Sequence, residues 1–84
     1  MKIILYGSLS RNLGKELEVE VKEGTTLREL LEDLSKKEPE IRPDNPNILI
    51  FINDAESSLL GGLSYKLKNT DKVSILPIAH GGKY

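Results

Sequence analysis

From residue 16 the chain reads Glu16-Leu17-Glu18-Val19-Glu20-Val21-Lys22, an alternation of charged and apolar residues without a fault. A period of two places Leu17, Val19 and Val21 on one face of a strand and the charges on the other, so this strand is covered on one side only. Just beyond it the period changes. Thr26-Leu27-Arg28-Glu29 has the spacing of a reciprocal helix cap, and Leu27, Leu30, Leu31 and Leu34 follow as one apolar stripe. A one-sided strand followed at once by a one-striped helix demands that the helix cross the covered face of a sheet.

The remaining segments complete that sheet. Residues 2–6 are apolar and β-branched, closed by Gly7, and read as a first strand; residues 8–14 are a polar hairpin loop. The helix is expected to stop near Glu38, because Pro39 has no N–H to donate and restricts the residue before it. Three prolines between 39 and 46 predict an ordered, non-helical loop. Residues 47–52 form the most hydrophobic run, too short for a helix, and read as a central strand buried on both faces. Asn53-Asp54 supplies a turn, residues 56–60 a short returning strand, residues 63–67 a brief helical turn, and residues 72–78 the last strand. The order β-β-α-β-β-β, with a final strand beside the first, is a β-grasp: an α+β, ubiquitin-like mixed sheet of four to five strands with one main helix.

With 84 residues the chain makes one domain, 1–78, followed by a tail, 79–84. The tail, Ala79-His80-Gly81-Gly82-Lys83-Tyr84, leaves the last strand through Pro77 and a glycine pair, which oppose both helix and further strand. A mobile arm is expected. Glycine lacks a Cβ, so backbone at Gly81-Gly82 can enter a slot that any side chain blocks, which suits presentation of a carboxylate to another protein's active site.

Composition excludes several chemistries. There is no cysteine, hence no thiolate nucleophile, disulfide framework or cysteine-based zinc site. Twelve basic residues against thirteen acidic ones leave a net charge of −1 without a basic block, which argues against direct nucleic-acid binding. Ile3-Ile4-Leu5 is too short for a signal-peptide core, nothing approaches a membrane span, and a cytoplasmic protein is the expectation. Asp54 and Glu56 beside a turn form a solvated corner rather than a metal site. Neither Gly7-Ser8 nor Gly61-Gly62 has the lysine and hydroxyl of a phosphate-binding loop, so no cofactor is expected and any ATP belongs to a partner. His80, the single histidine, has no triad context, so no catalytic residue is assigned.

From Asn47 onward the sequence resembles the ubiquitin-related modifier family, the sulfur-carrier branch of the ubiquitin-like proteins, in an archaeal type. The residues that carry the resemblance are Ile52-Asn53-Asp54-Ala55, Leu59-Leu60-Gly61, Leu63-Ser64-Tyr65-Lys66-Leu67, Asp71-Lys72-Val73 and His80-Gly81-Gly82. The chain departs from the family at Gly62 and Ser64, at Ser57-Ser58, and above all at Lys83-Tyr84, which extend past the diglycine. The resemblance implies a protein that is a reagent rather than an enzyme. An adenylating activating enzyme joins the Gly82 carboxylate to AMP; a sulfur donor then gives a thiocarboxylate for tRNA thiolation, or a lysine of a target protein gives an isopeptide. His80 and Gly81 are then tail-recognition residues, and the Gly82-Lys83 bond is a processing site for a peptidase. A monomer is expected.

One parity of the strands must face away from the helix. Tyr6, Ile4 and alternate residues of 48–52, joined by Leu60 and by Ile75 or Leu76, are candidates for an exposed apolar partner surface. The other reading is that Leu60 and its neighbours close a second small core under the loops. Two functional alternatives stand beside the carrier: the small subunit of molybdopterin synthase, and a β-grasp binding module whose tail has no chemistry.

Overall fold

The computed structural model describes residues 1–78. The expectations for the tail, including those for His80, Gly81, Gly82 and Lys83, lie outside the described residues.

Five strands form one mixed sheet: β1 (Lys2–Leu5), β2 (Glu16–Glu18), β3 (Ile48–Ile52), β4 (Ala55–Glu56) and β5 (Lys72–Pro77). Their spatial order is β2-β1-β5-β3-β4, with β1 and β5 parallel and the other pairs antiparallel. The helix α1 (Leu27–Ser35) lies on one face and buries Leu27, Leu30, Leu31 and Leu34. Against these pack Ile3 and Leu5 of β1, Ile50 and Ile52 of β3, and Val73 and Ile75 of β5. The β-grasp expectation is met.

The helix starts where the capping box requires. The Thr26 Oγ1 accepts from the Glu29 N–H at 3.2 Å, and the Glu29 Oε1 accepts from the Thr26 N–H at 2.9 Å. Thr26 also joins an isolated antiparallel bridge to Lys66, which ties the helix entrance to the chain before β5. Replacing Thr26 by alanine removes the cap and should cost about 1 kcal/mol in chemical denaturation.

Several expected boundaries move, each for a local reason. The strand expected over residues 16–22 pairs only through Glu18, because its partner β1 begins at Lys2, opposite Glu18. Past that point the chain stays extended on other bonds. The Val19 N–H donates to the Met1 carbonyl, and the Asn69 side-chain amide both accepts from the Val21 N–H and donates to the Val21 carbonyl, doing the work of a missing strand. The loop after β1 contains a 3₁₀ turn, Gly7–Ser10, which drives Leu9 into the core. The helix ends at Ser35, and the proline-rich stretch opens with a second 3₁₀ turn, Pro39–Ile41, rather than staying non-helical. Proline's fixed φ suits the first position of such a turn, and Ile41 is fully buried by it.

The strand expected to be central and doubly buried is neither. In the sheet β5 holds the middle and β3 lies one strand from the edge; Ile50 and Ile52 are buried, while Ile48, Leu49 and Phe51 are half-covered. The returning strand is only Ala55–Glu56. A third 3₁₀ turn, Ser57–Leu60, follows because the Glu56 carboxylate accepts from the Ser58 N–H and hydroxyl and bends the chain. The helical turn expected over 63–67 sits at Gly62–Ser64 instead. Asn53 and Asp54, both at positive φ (51° and 71°), make the two-residue β3–β4 hairpin turn that these residue types tolerate.

Candidate functional site

The last described residues fix where the tail leaves. Pro77 ends β5, and the Ile78 N–H donates to the Asn47 carbonyl at 2.8 Å. On the other side of β5 the Tyr6 N–H donates to the Ile75 carbonyl at 3.1 Å. Gly7 sits here at φ +57°, and a Cβ on it would stand 3.2 Å from Pro77 Cγ, so any L-residue at position 7 is both strained and crowded. The chain therefore exits between two anchored neighbours.

The sheet register decides which apolar residues face away from the helix. Lys2 and Ile4 are opposite Lys72 and Ser74 across β1–β5, and Ser74 and Leu76 are opposite Phe51 and Leu49 across β5–β3. These residues share the open face, with Tyr6 and Ile78 continuing it beyond the strand ends. Its apolar part is Ile4, Tyr6, Leu49, Phe51, Leu76 and Ile78, gathered towards the tail exit; Tyr6 and Ile78 are each 44% exposed. Ile75 is fully buried and belongs to the core, so Leu76 is the residue that joins this face. At the far end of the face Lys2 pairs with Glu16 at 3.3 Å and Lys72 with Asp54 at 3.1 Å.

Leu60 lies elsewhere. It ends the 3₁₀ turn after β4, and the strand order puts β5 and β3 between β1 and β4. Leu60 and its neighbour Leu59 are 39% and 78% exposed, so these two leucines do not close a second core.

One constellation went unnoticed in the sequence. Asn53, Tyr65 and Asp71 meet in a network at the start of β5. The nearly buried Asp71 carboxylate accepts from the Asn53 amide (2.8 Å), the Tyr65 hydroxyl (3.0 Å) and the Lys68 N–H (2.9 Å). The Asn53 side-chain oxygen Oδ1 in turn accepts from the Lys72 N–H at 2.9 Å. Burial is the largest influence on the Asp71 carboxyl and raises its pKa. The Lys68 N–H, the Asn53 amide, the Tyr65 hydroxyl and the Lys68 charge together outweigh it, and the net shift is downward. The Tyr65 hydroxyl is held above its ordinary value, first by burial, then by its hydrogen bond to Asp71 and the Asp71 charge. The network holds no reacting group; it locks the β3–β4 turn to the strand that carries the tail. A pairing of Asn53 with Asp71 leaves no trace in periodicity, and the signal was their common presence in the family motif.

Among the described residues no group of three or more His, Cys, Asp or Glu side chains is placed to hold a metal ion, and no helix is long and apolar enough to cross a membrane.

Comparison with known proteins agrees with this geometry. The sequence model of the ThiS family matches residues 3–82, a span that ends on Gly82. The chain is 31% identical over 87 residues to the ubiquitin-related modifier 1 homolog of Drosophila willistoni, covering 94% of this chain and 84% of that protein. It is 38% identical over 60 residues to ubiquitin-related modifier 1 of Gallus gallus, a match covering 67% of this chain and only 59% of that relative. In three dimensions it superposes on the small archaeal modifier protein 1 of Methanosarcina acetivorans with a TM-score of 0.75 at 27% identity, covering 96% of this chain and 94% of the other. The sheet order, the tail exit and the motif residues thus converge, and the chain belongs to the ThiS family of ubiquitin-like β-grasp proteins.

Proposed function

We propose that this protein is a ubiquitin-like modifier and sulfur carrier, a reagent consumed by other enzymes rather than an enzyme itself. The observation that carries the reading is the family match from residue 3 to Gly82, on a fold whose middle strand ends at Pro77, three residues short of the diglycine in sequence. A carboxylate is a poor acyl donor, because its leaving group is oxide. A partner adenylating enzyme supplies ATP; the Gly82 carboxylate attacks the α-phosphorus, pyrophosphate departs, and the resulting mixed anhydride has AMP as a good leaving group. A persulfide sulfur donor then displaces AMP, and a thiol reduces the acyl disulfide to leave a thiocarboxylate, the sulfur source for tRNA thiolation. Attack by a lysine amine of a target protein gives an isopeptide instead. This chain binds no nucleotide or metal of its own.

Both routes require Gly82 to be the terminal residue, since the acyl carbon attacked is its own. Lys83 and Tyr84 fall outside the family match, and a peptidase that cuts the Gly82-Lys83 bond makes the active form. His80 and Gly81 are read by the activating enzyme as the tail enters its active site. The absence of cysteine suits a reducing cytoplasm, and the protein acts there as a monomer.

The experiment that tests the reading is ATP–pyrophosphate exchange by the cognate adenylating enzyme. The chain ending at Gly82 should support exchange and the chain ending at Tyr84 should not. Equal exchange by both forms, or none by either, rejects it.

The open face beside the tail exit is the docking surface for that enzyme, with Tyr6 at its rim; Leu60 is a separate contact beyond β4. Tyr6→Asp should lower kcat/KM for activation about tenfold through loss of apolar contact and burial of a charge, while thermal unfolding stays unchanged.

A further inference from the structure

Among the described residues β2 is an edge of the sheet, with no strand on its outer side. In the β1–β2 ladder the Leu5 N–H donates to the Lys15 carbonyl at 2.8 Å and the Val19 N–H to the Met1 carbonyl at 2.9 Å, with Leu17 facing Ile3 between them. Backbone groups alternate in direction along an antiparallel strand, so those of Lys15, Leu17 and Val19 turn inward and those of Glu16, Glu18 and Glu20 turn out to the free edge. Beside this edge, between it and α1, run two adjoining cavities of about 260 and 390 Å³ that share Val19, Asp33 and Leu34. Together they form a trough whose apolar lining is Leu13, Leu17, Val19, Val21, Leu30 and Leu34.

A strand laid on this edge sends alternate side chains over the trough and the others next to Glu16, Glu18 and Glu20. Charges placed side by side on neighbouring strands stabilise when opposite and destabilise when alike. A second copy of this chain is thereby disfavoured, because β2 against β2 sets glutamates beside glutamates. A strand carrying lysine or arginine at every second position is favoured by the same three residues, for Glu16 and Glu18 stay exposed although they also pair with Lys2 (3.3 Å) and the N-terminal ammonium (3.0 Å).

We propose that the free edge of β2 and the trough beside it bind an extended segment of a partner protein in which apolar residues alternate with lysine or arginine. Main-chain bonds to Glu16, Glu18 and Glu20 supply the pairing, the trough takes the apolar side chains, and the glutamates select the basic ones. The site is separate from the tail and does not depend on its chemistry.

The test is an NMR titration of the full chain with a synthetic Lys-Val-Lys-Ile-Lys-Val-Lys peptide, against its counterpart with glutamate for lysine. The basic peptide should shift the Glu16, Glu18 and Glu20 amides saturably and slow their hydrogen exchange, and the acidic peptide should leave them unmoved. Glu20→Pro removes one outward N–H without costing a bond to β1 and should weaken binding at least about tenfold. Glu20→Lys reverses one charge without touching the backbone and should weaken the basic peptide in the same direction. No saturable shift up to about 1 mM peptide, equal binding of both peptides, shifts confined to Ile4, Leu49 and Phe51, or a dimer of the free chain pairing through β2 would each overturn the proposal.

Discussion

Gly82→Val, in a chain ending at residue 82, should abolish acyl-adenylate formation, lowering kcat/KM for activation by more than about 10³, or roughly 4 kcal/mol of transition-state binding. In the proposed activation the attacking atom is a carboxylate oxygen of residue 82, which has to lie in line with the α-phosphorus of ATP and the departing pyrophosphate. A branched side chain on the Cα next to that carboxylate widens the chain where the approach has to be closest, and a misplacement of about 1 Å is enough for a loss of about 10²-fold. Stability should not follow activity. The core runs from Met1 to Ile75, so the variant should melt with the parent protein. Gly82→Ala places the smallest side chain on the same Cα and should fall between the two in the exchange assay. A Gly82→Val variant that is activated at the parental rate shows that the diglycine is not what the partner reads.

The largest stability effect outside the apolar core is expected at Asp71. Asp71→Ala leaves the Asn53 amide, the Tyr65 hydroxyl and the Lys68 N–H without their acceptor at one nearly buried point. Hydrogen bonds to a charged group are worth about 1.5–3 kcal/mol, and donors stranded by a truncation add to the loss, so the variant should lose about 3 kcal/mol. For a domain of this size that is a fall of roughly 12–24 °C in Tm, readable by calorimetry.

Protonation should reproduce part of this loss. A carboxyl whose pKa is lower in the folded than in the unfolded chain stabilises the fold fully above the unfolded value, near about 4. The contribution fades as pH falls from there through the folded value. The stability gap between the parent and Asp71→Asn should therefore be constant from neutral pH down to about 4 and narrow below it. Tyr65 shifts the other way: its raised pKa gives stability that is present below about 10 and is lost as pH climbs through the folded value. A gap that widens on acidification contradicts the role assigned to Asp71.

The parts of the fold that were legible in the sequence are those where a period and a cap coincide. The alternation after residue 16 and the leucine stripe from Leu27 each had one consistent face; the stripe is buried, and Leu17, Val19 and Val21 are half-buried against the core. Strand lengths were less legible, because a strand ends where its partner ends. Nothing in Glu20-Val21-Lys22 says that β1 starts at Lys2, nor that Asn69 closes the bonds left over. The run at residues 48–52 looked doubly buried because hydrophobicity alone does not separate a covered face from a docking face. Its parity was available: Lys2 and Ile4, like Lys72, Ser74 and Leu76, alternate polar with apolar on the face that turns outward. The short 3₁₀ turns escaped because they are set by single events, Glu56 reaching Ser58 or Leu9 and Ile41 reaching the core. The candidate site divided in the same way. Tyr6 and Leu76 follow from strand parity, whereas the Asn53–Asp71 network requires the fold to bring together residues that are 18 apart in sequence.

The proposed carrier role requires Gly82 to carry the activated carbonyl, and one mass measurement addresses this directly. The chain ending at Gly82 is incubated with its adenylating enzyme, ATP, a persulfide donor and a reducing thiol, and its intact mass is recorded. The mass should rise by the difference between a sulfur and an oxygen atom, and fragmentation should place the gain on residue 82. An unchanged mass in a mixture where the enzyme activates its own established carrier, or a gain placed on any other residue, contradicts the account.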